Sequence, residues 1–74
     1  MACVNADGTI TATAKALLKT LEIPLSAEEI AGRLGLPLFR VRSSLRELAV
    51  AGFVVIQGDK YRTSEEGKRK AEAA

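Results

Sequence analysis

The stretch Ser26-Ala27-Glu28-Glu29-Ile30-Ala31-Gly32-Arg33-Leu34-Gly35-Leu36-Pro37-Leu38 carries a helix start, a helix stop and a restart within thirteen residues. Ser26 and Glu29 have the spacing of a capping box: the serine hydroxyl takes the Glu29 amide, and the Glu29 carboxylate reaches back to the serine amide. Ala27, Ile30, Ala31 and Leu34 then fall on one side of a helix. Gly35 stands where a helix ends in a left-handed residue. The stretch predicts a short helix over 27–34, a turn Gly35-Leu36-Pro37, and a second helix beginning at Leu38.

Working toward the C-terminus, Leu38, Val41, Leu45 and Leu48 form the buried stripe of a helix over 38–51, and Gly52 supplies its stop. Phe53-Val54-Val55-Ile56-Gln57 is a β-rich run, and Gly58-Asp59 is a two-residue hairpin turn with glycine first. Lys60-Tyr61-Arg62-Thr63 returns as the second strand, so the hairpin occupies 53–63. That register sets Ile56 opposite Tyr61 and Val54 opposite Thr63 on an inner face. Ser64 can cap a last helix from Glu65 to about Ala73, in which Gly67 is a weak point.

Toward the N-terminus, Ile10, Ala14, Leu17, Leu18 and Leu21 describe an amphipathic helix over about 10–22. Thr9 or Thr11 caps it, and Pro24 bars its continuation. Residues 1–8 show no periodicity and read as a disordered leader. The expected whole is one mostly helical α+β domain over 9–74: three helices, a two-stranded hairpin and a short C-terminal helix.

Composition agrees with a small folded domain. The 74 residues are 47% hydrophobic and 27% charged, which excludes a disordered tail. A chain of this length buries only about 60% of its unfolded surface, so its core must come from a few well-patterned elements. No apolar run approaches the ~18 residues of a membrane span, and the first residues lack the basic start and apolar core of a signal peptide. Cys3 is the single cysteine and is read as a bystander thiol; the expected compartment is the cytoplasm. The net charge is +2, unevenly spread: residues 33–62 carry +4, residues 1–32 carry −2, and the rest balances. The positive middle third is where an anionic partner would be met.

Two helices joined by a glycine-containing turn and followed by a hairpin is the helix-turn-helix order with a β-wing. Ser26-Ala27-Glu28-Glu29-Ile30-Ala31, Leu34-Gly35-Leu36, Val41, Leu45, Leu48 and Ala51-Gly52-Phe53-Val54 resemble the winged helix-turn-helix superfamily of prokaryotic transcriptional regulators. Tyr61-Arg62-Thr63-Ser64-Glu65-Glu66-Gly67 is similar to the exit from the wing in MarR-like and related families. The resemblance covers about residues 10–68 and does not resolve a subfamily. It departs at Thr63, where those proteins usually carry leucine; the change is expected to lighten the packing beneath the wing. What it implies is a transcriptional regulator that places helix 38–51 in the major groove of double-stranded DNA, with the hairpin on the flanking backbone or minor groove.

At about 100° per residue, the side of that helix opposite Val41 and Leu45 carries Phe39, Ser43, Arg46 and Val50, flanked by Arg40 and Arg42. Arg42, Ser43 and Arg46 are the expected base-edge contacts, Arg40 the expected phosphate contact, and Lys60 and Arg62 the wing contacts. Thr11, Thr13 and Lys15 are further candidates for phosphate, and Ser44 is read as structural. Phe39 suits a thymine methyl and equally a protein surface, and Val50 suits only the latter. A homodimer on two half-sites is the expected assembly. The alternative is a protein-interaction module or accessory subunit without sequence-specific DNA binding, or one piece of a larger regulator. No histidine, no serine with a base beside it and no phosphate-cradling glycine loop is present, so neither catalysis, a metal nor a cofactor is expected.

Overall fold

The computed structural model describes residues 4–73; Met1 to Cys3, and with them the lone thiol, and Ala74 lie outside the described residues. Four helices and one antiparallel hairpin follow in the order α1 (Ala12–Thr20), α2 (Ala27–Leu34), α3 (Leu38–Val50), β1 (Val54–Gln57), β2 (Lys60–Thr63) and α4 (Glu65–Ala73). No helix among the described residues is long and apolar enough to cross a membrane.

The capping box forms as read. Glu29 N–H donates to Ser26 Oγ at 3.2 Å, and Ser26 N–H donates to Glu29 Oε1 at 2.9 Å. Gly35 stops α2 at φ +65°, a conformation that a Cβ disfavours, and this lets the Leu36 amide fold back onto the Ala31 carbonyl at 3.1 Å. Three residues therefore separate α2 from α3, and the two helices pack against each other. The first helix is shorter than the periodicity suggests. Thr11 takes the Ala14 amide at 3.2 Å and becomes its cap, and Ile10 is left outside.

The part of the expected disordered leader that is described, residues 4–8, is instead a hydrogen-bonded turn. Asn5 N–H reaches Thr9 O at 2.7 Å, Asp7 accepts from the Thr9 amide and hydroxyl, and Val4 bridges Ile10. Val4 and Ile10, half-buried, lie against the core. Periodicity missed this because a turn closed by an Asx side chain and one apolar bridge repeats nothing.

The core is Ala14, Leu17, Leu18 and Leu21 from α1 and its end, Leu25, Ala27 and Ile30 around α2, Val41, Leu45 and Leu48 from α3, with Val54 and Ala71 closing it. Leu38, expected in the stripe, is only half-buried, whereas Ser44 is buried as expected.

The hairpin register is the one the turn demands: Val54 opposite Thr63, Val55 opposite Arg62, Ile56 opposite Tyr61 and Gln57 opposite Lys60. Its inner face is fully buried only at the base. Val54 and Thr63 are buried and Tyr61 is half-buried against the core, but Ile56, two residues nearer the tip than Val54, is 59% exposed. A feature no local pattern announces supports β2 from its other edge. Leu25 and Tyr61 exchange both backbone hydrogen bonds, at 3.1 and 2.8 Å, so the α1–α2 link acts as a one-residue third strand.

Thr63 corrects the expectation of loosened packing. It is buried, its amide donates to the Leu21 carbonyl at 3.0 Å, and its hydroxyl donates to the Leu18 carbonyl at 2.6 Å. The Glu22 amide, the ordinary helical partner of that carbonyl, turns to Lys19 instead. A leucine would fill the space and leave the carbonyl unpaired, so Thr63 acts as a cap on the end of α1. Thr63→Val keeps the shape and removes only the donor. It is expected to cost about 1–2 kcal/mol, read as a lower denaturant midpoint at unchanged slope.

Gly67 is likewise no weak point. A Cβ there would meet the Phe53 carbonyl oxygen and the Thr63 methyl, so α4 needs glycine in order to lie this close to the chain entering β1. Ser64 holds the same junction: it accepts from the Gly67 amide at 3.0 Å and donates to the Gly52 carbonyl at 2.6 Å.

Candidate nucleic-acid interface

Because Val41, Ser44, Leu45 and Leu48 are turned into the core, the opposite side of α3 is presented outward along its whole length. Phe39, Ser43, Arg46 and Val50 follow one another at helical spacing on that side, over about 16 Å of rise. All four are exposed, Phe39 to 76% and Val50 to 86%. Phe39, Ser43 and the half-buried Arg40 border a shallow depression at the N-terminal end of α3.

The hairpin stands on the Arg42 side. Arg42, Arg46, Ala49 and Val50 of α3 and Ile56 and Tyr61 of the strands line a groove of about 340 Å³. All seven expected contact residues thus lie on α3 or on the hairpin beside it, six of them reaching the surface there. Arg62, the seventh, is half-buried at the strand base, its guanidinium donating to the Thr63 carbonyl at 3.2 Å. Of the secondary candidates, Thr11 is occupied in capping α1, and Thr13 and Lys15 are half-buried in its first turns.

Two of the expected contacts already have anionic partners. Arg42 Nη2 donates to Glu28 Oε2 at 3.2 Å, and Lys60 Nζ donates to Glu29 Oε1 at 3.1 Å. The first pair spans fourteen residues and the second thirty-one, so both depend on the tertiary fold. They tie the first turn of α2 to α3 and to the hairpin. Glu29 Oε1 is shared between the Ser26 amide and Lys60. The Ser26 amide, and after it the Lys60 ammonium, hold the Glu29 carboxyl down from 4.5 to about 2, so it stays charged under any condition in which duplex DNA would be offered. The local charge of +4 over residues 33–62 falls to +2 once Glu28 and Glu29, which face the same surface, are counted.

Glu29 caps α2 as the capping-box spacing predicts, and both carboxylates sit in the first turn of α2, where the helix dipole favours them. Their second role had no sequence signal, since neither partner lies within a helical turn of them. Ile56 was also missed, assigned inward by the strand register, while Tyr61, half-buried against the core as expected, lines the groove as well. Among the described residues, no three His, Cys, Asp or Glu side chains gather where a metal ion could be held. No protein-family model, curated protein or solved structure matches the chain.

Proposed function

We propose that the chain is a winged helix-turn-helix DNA-binding domain of a transcriptional regulator, of the kind found in MarR-like and related prokaryotic families. In this reading α2 and α3 form the helix-turn-helix, α3 enters the major groove, and the hairpin is the wing on the flanking backbone or minor groove. The chain acts on the cytoplasmic chromosome, carries out no catalysis and needs no cofactor or metal.

The observation that carries the proposal is the outward row on α3 together with the hairpin on its Arg42 side. Ser43 and Arg46, with Arg42 beside them, offer groups that recognise base edges: a guanidinium takes guanine O6 and N7 together, and a hydroxyl serves either a base or a phosphate. Arg40, Lys60 and Arg62 suit phosphates, which fix register without reading sequence. Phe39, at the start of α3, suits a thymine methyl. The bridge from Leu25 to Tyr61 favours the same reading, because it braces the hairpin against the body instead of leaving a free two-stranded ribbon. A homodimer would place two copies of α3 one duplex turn, about 34 Å, apart.

Selection of bound sequences from a random duplex pool, followed by sizing of the complex, tests the proposal; a two-fold symmetric enriched site is expected. On that duplex the Arg42→Ala, Arg46→Ala double variant is expected to bind roughly 100-fold more weakly or worse, since each lost base contact costs about 1–3 kcal/mol. Unchanged affinity would reject the assignment of α3.

A second reading, a protein-interaction module, is favoured by Val50 and Ile56, large apolar side chains exposed on the groove between α3 and the hairpin. Chemical-shift mapping separates the two. DNA binding requires shifts over residues 38–46 and 57–62 on adding duplex. A spectrum left unmoved there supports the protein-binding reading through Phe39 and Val50.

A further inference from the structure

We infer that Glu28 and Glu29 compete with phosphate for Arg42 and Lys60 and thereby hold down sequence-independent binding to DNA; this rests on the DNA-binding reading above. Exposed ion pairs of this kind contribute little to stability, so fold maintenance does not explain two of them on one surface. Their placement does more. The first turn of a helix is where backbone amides and the dipole would draw a phosphate, and here α2 fills that position with its own carboxylates. Those carboxylates hold a cation of α3 at 3.2 Å and a cation of the hairpin at 3.1 Å.

For either cation to reach a phosphate, it must leave its glutamate, and the glutamate then faces the polyanion or takes up a cation from solution. Counterions released from the DNA are offset by counterions gained at the protein. A contact made by Arg42 or Lys60 therefore adds little to the salt dependence that a phosphate contact normally brings, about 0.9 in the slope of log K against log salt. Generic duplex offers only phosphates. A chosen sequence adds base contacts through Ser43 and Arg46, which these two carboxylates do not hold, so the pairs weaken wrong sites more than right ones.

The test compares three proteins on a generic duplex of about 20 base pairs across about 50 to 200 mM salt: the natural chain, a Glu28→Gln, Glu29→Gln double variant, and a Glu66→Gln, Glu72→Gln double variant. The last removes the same charge from α4, which packs on α1. The Glu29→Gln change keeps the capping box, because the side-chain amide oxygen still accepts from the Ser26 amide. The Glu28, Glu29 variant is expected to bind more tightly, with a slope steeper by about 1.8, so its advantage shrinks roughly tenfold across that salt range. The α4 variant is expected to stay near the natural slope.

Equal slopes in the natural chain and the Glu28, Glu29 variant, or equal steepening in the α4 variant, would overturn the inference while leaving DNA binding intact. Absence of salt-dependent binding in all three would instead overturn the DNA-binding reading, and the inference with it. Should the Glu28, Glu29 variant melt early, Glu28→Gln alone, which leaves the cap untouched, carries the same test at about half the change in slope.

Discussion

Gly67→Ala is expected to destabilise the domain by about 2–4 kcal/mol and to lower its unfolding temperature by roughly 10–20 °C, against the usual direction of that substitution in a helix. In an unconstrained helix interior, alanine stabilises relative to glycine by about 1 kcal/mol. At Gly67 the new methyl group would run into the Phe53 carbonyl and the Thr63 methyl, and one of the two obstacles is backbone. Neither can yield cheaply. Phe53 enters β1 and accepts from the Ser64 amide at 3.0 Å, while Thr63 is held by its two bonds to the end of α1. The methyl must push α4 off the body or distort the junction between α3 and the hairpin. Gly32→Ala provides the internal contrast: Gly32 lies within α2, is exposed, and a Cβ there meets nothing within 4 Å. It should raise stability by about 0.5–1 kcal/mol. Thermal unfolding of the two variants side by side checks both signs, and a neutral Gly67→Ala would mean that α4 does not sit as close as described.

Leu45→Ala is the second large effect, expected at about 3–4 kcal/mol. Leu45 is completely buried, midway along α3 on the side facing the rest of the core. A domain of 74 residues has roughly 4–11 kcal/mol of stability in all. The loss is therefore about a quarter or more of the total, and at the lower end of that range it leaves a measurable unfolded fraction at physiological temperature. Leu45→Met, which conserves volume, should cost less than about 1.5 kcal/mol. In urea the alanine variant should shift its midpoint at constant slope, and a changed slope would show that α3 loosens on its own. If the domain binds DNA through α3, saturating duplex should raise the midpoint of the variant as well as of the natural chain, because ligand bound only to the folded form adds stability by mass action.

Both variants bear on what is legible without a structure. Gly67 in a polar helical stretch carries no mark distinguishing a required close approach from a mere weak point, since the atoms that forbid a side chain lie four and fourteen residues away. Thr63 is similar. In sequence it is a β-former where leucine would pack; in the fold it is the partner of a helix carbonyl forty-five residues away. Leu45, by contrast, is evident from periodicity alone.

The set of elements is written in the chain itself. The Ser26–Glu29 box, the Gly35 stop, the stripe Val41, Leu45 and Leu48, and the Gly58-Asp59 turn are local devices whose energetics operate over one or two turns of chain. They set α2 and α3 and the hairpin register to within a residue, together with the outward row Phe39, Ser43, Arg46 and Val50. What those residues face comes from the packing of the elements. Packing paired Arg42 with Glu28 and Lys60 with Glu29, braced β2 against Leu25, seated Thr63 on α1 and left Ile56 exposed at the groove. Such relations join residues far apart in the chain, and these leave no periodic trace of meeting. The candidate interface is thus a row of groups written locally, whose effective charge is set by carboxylates that the fold brings to it.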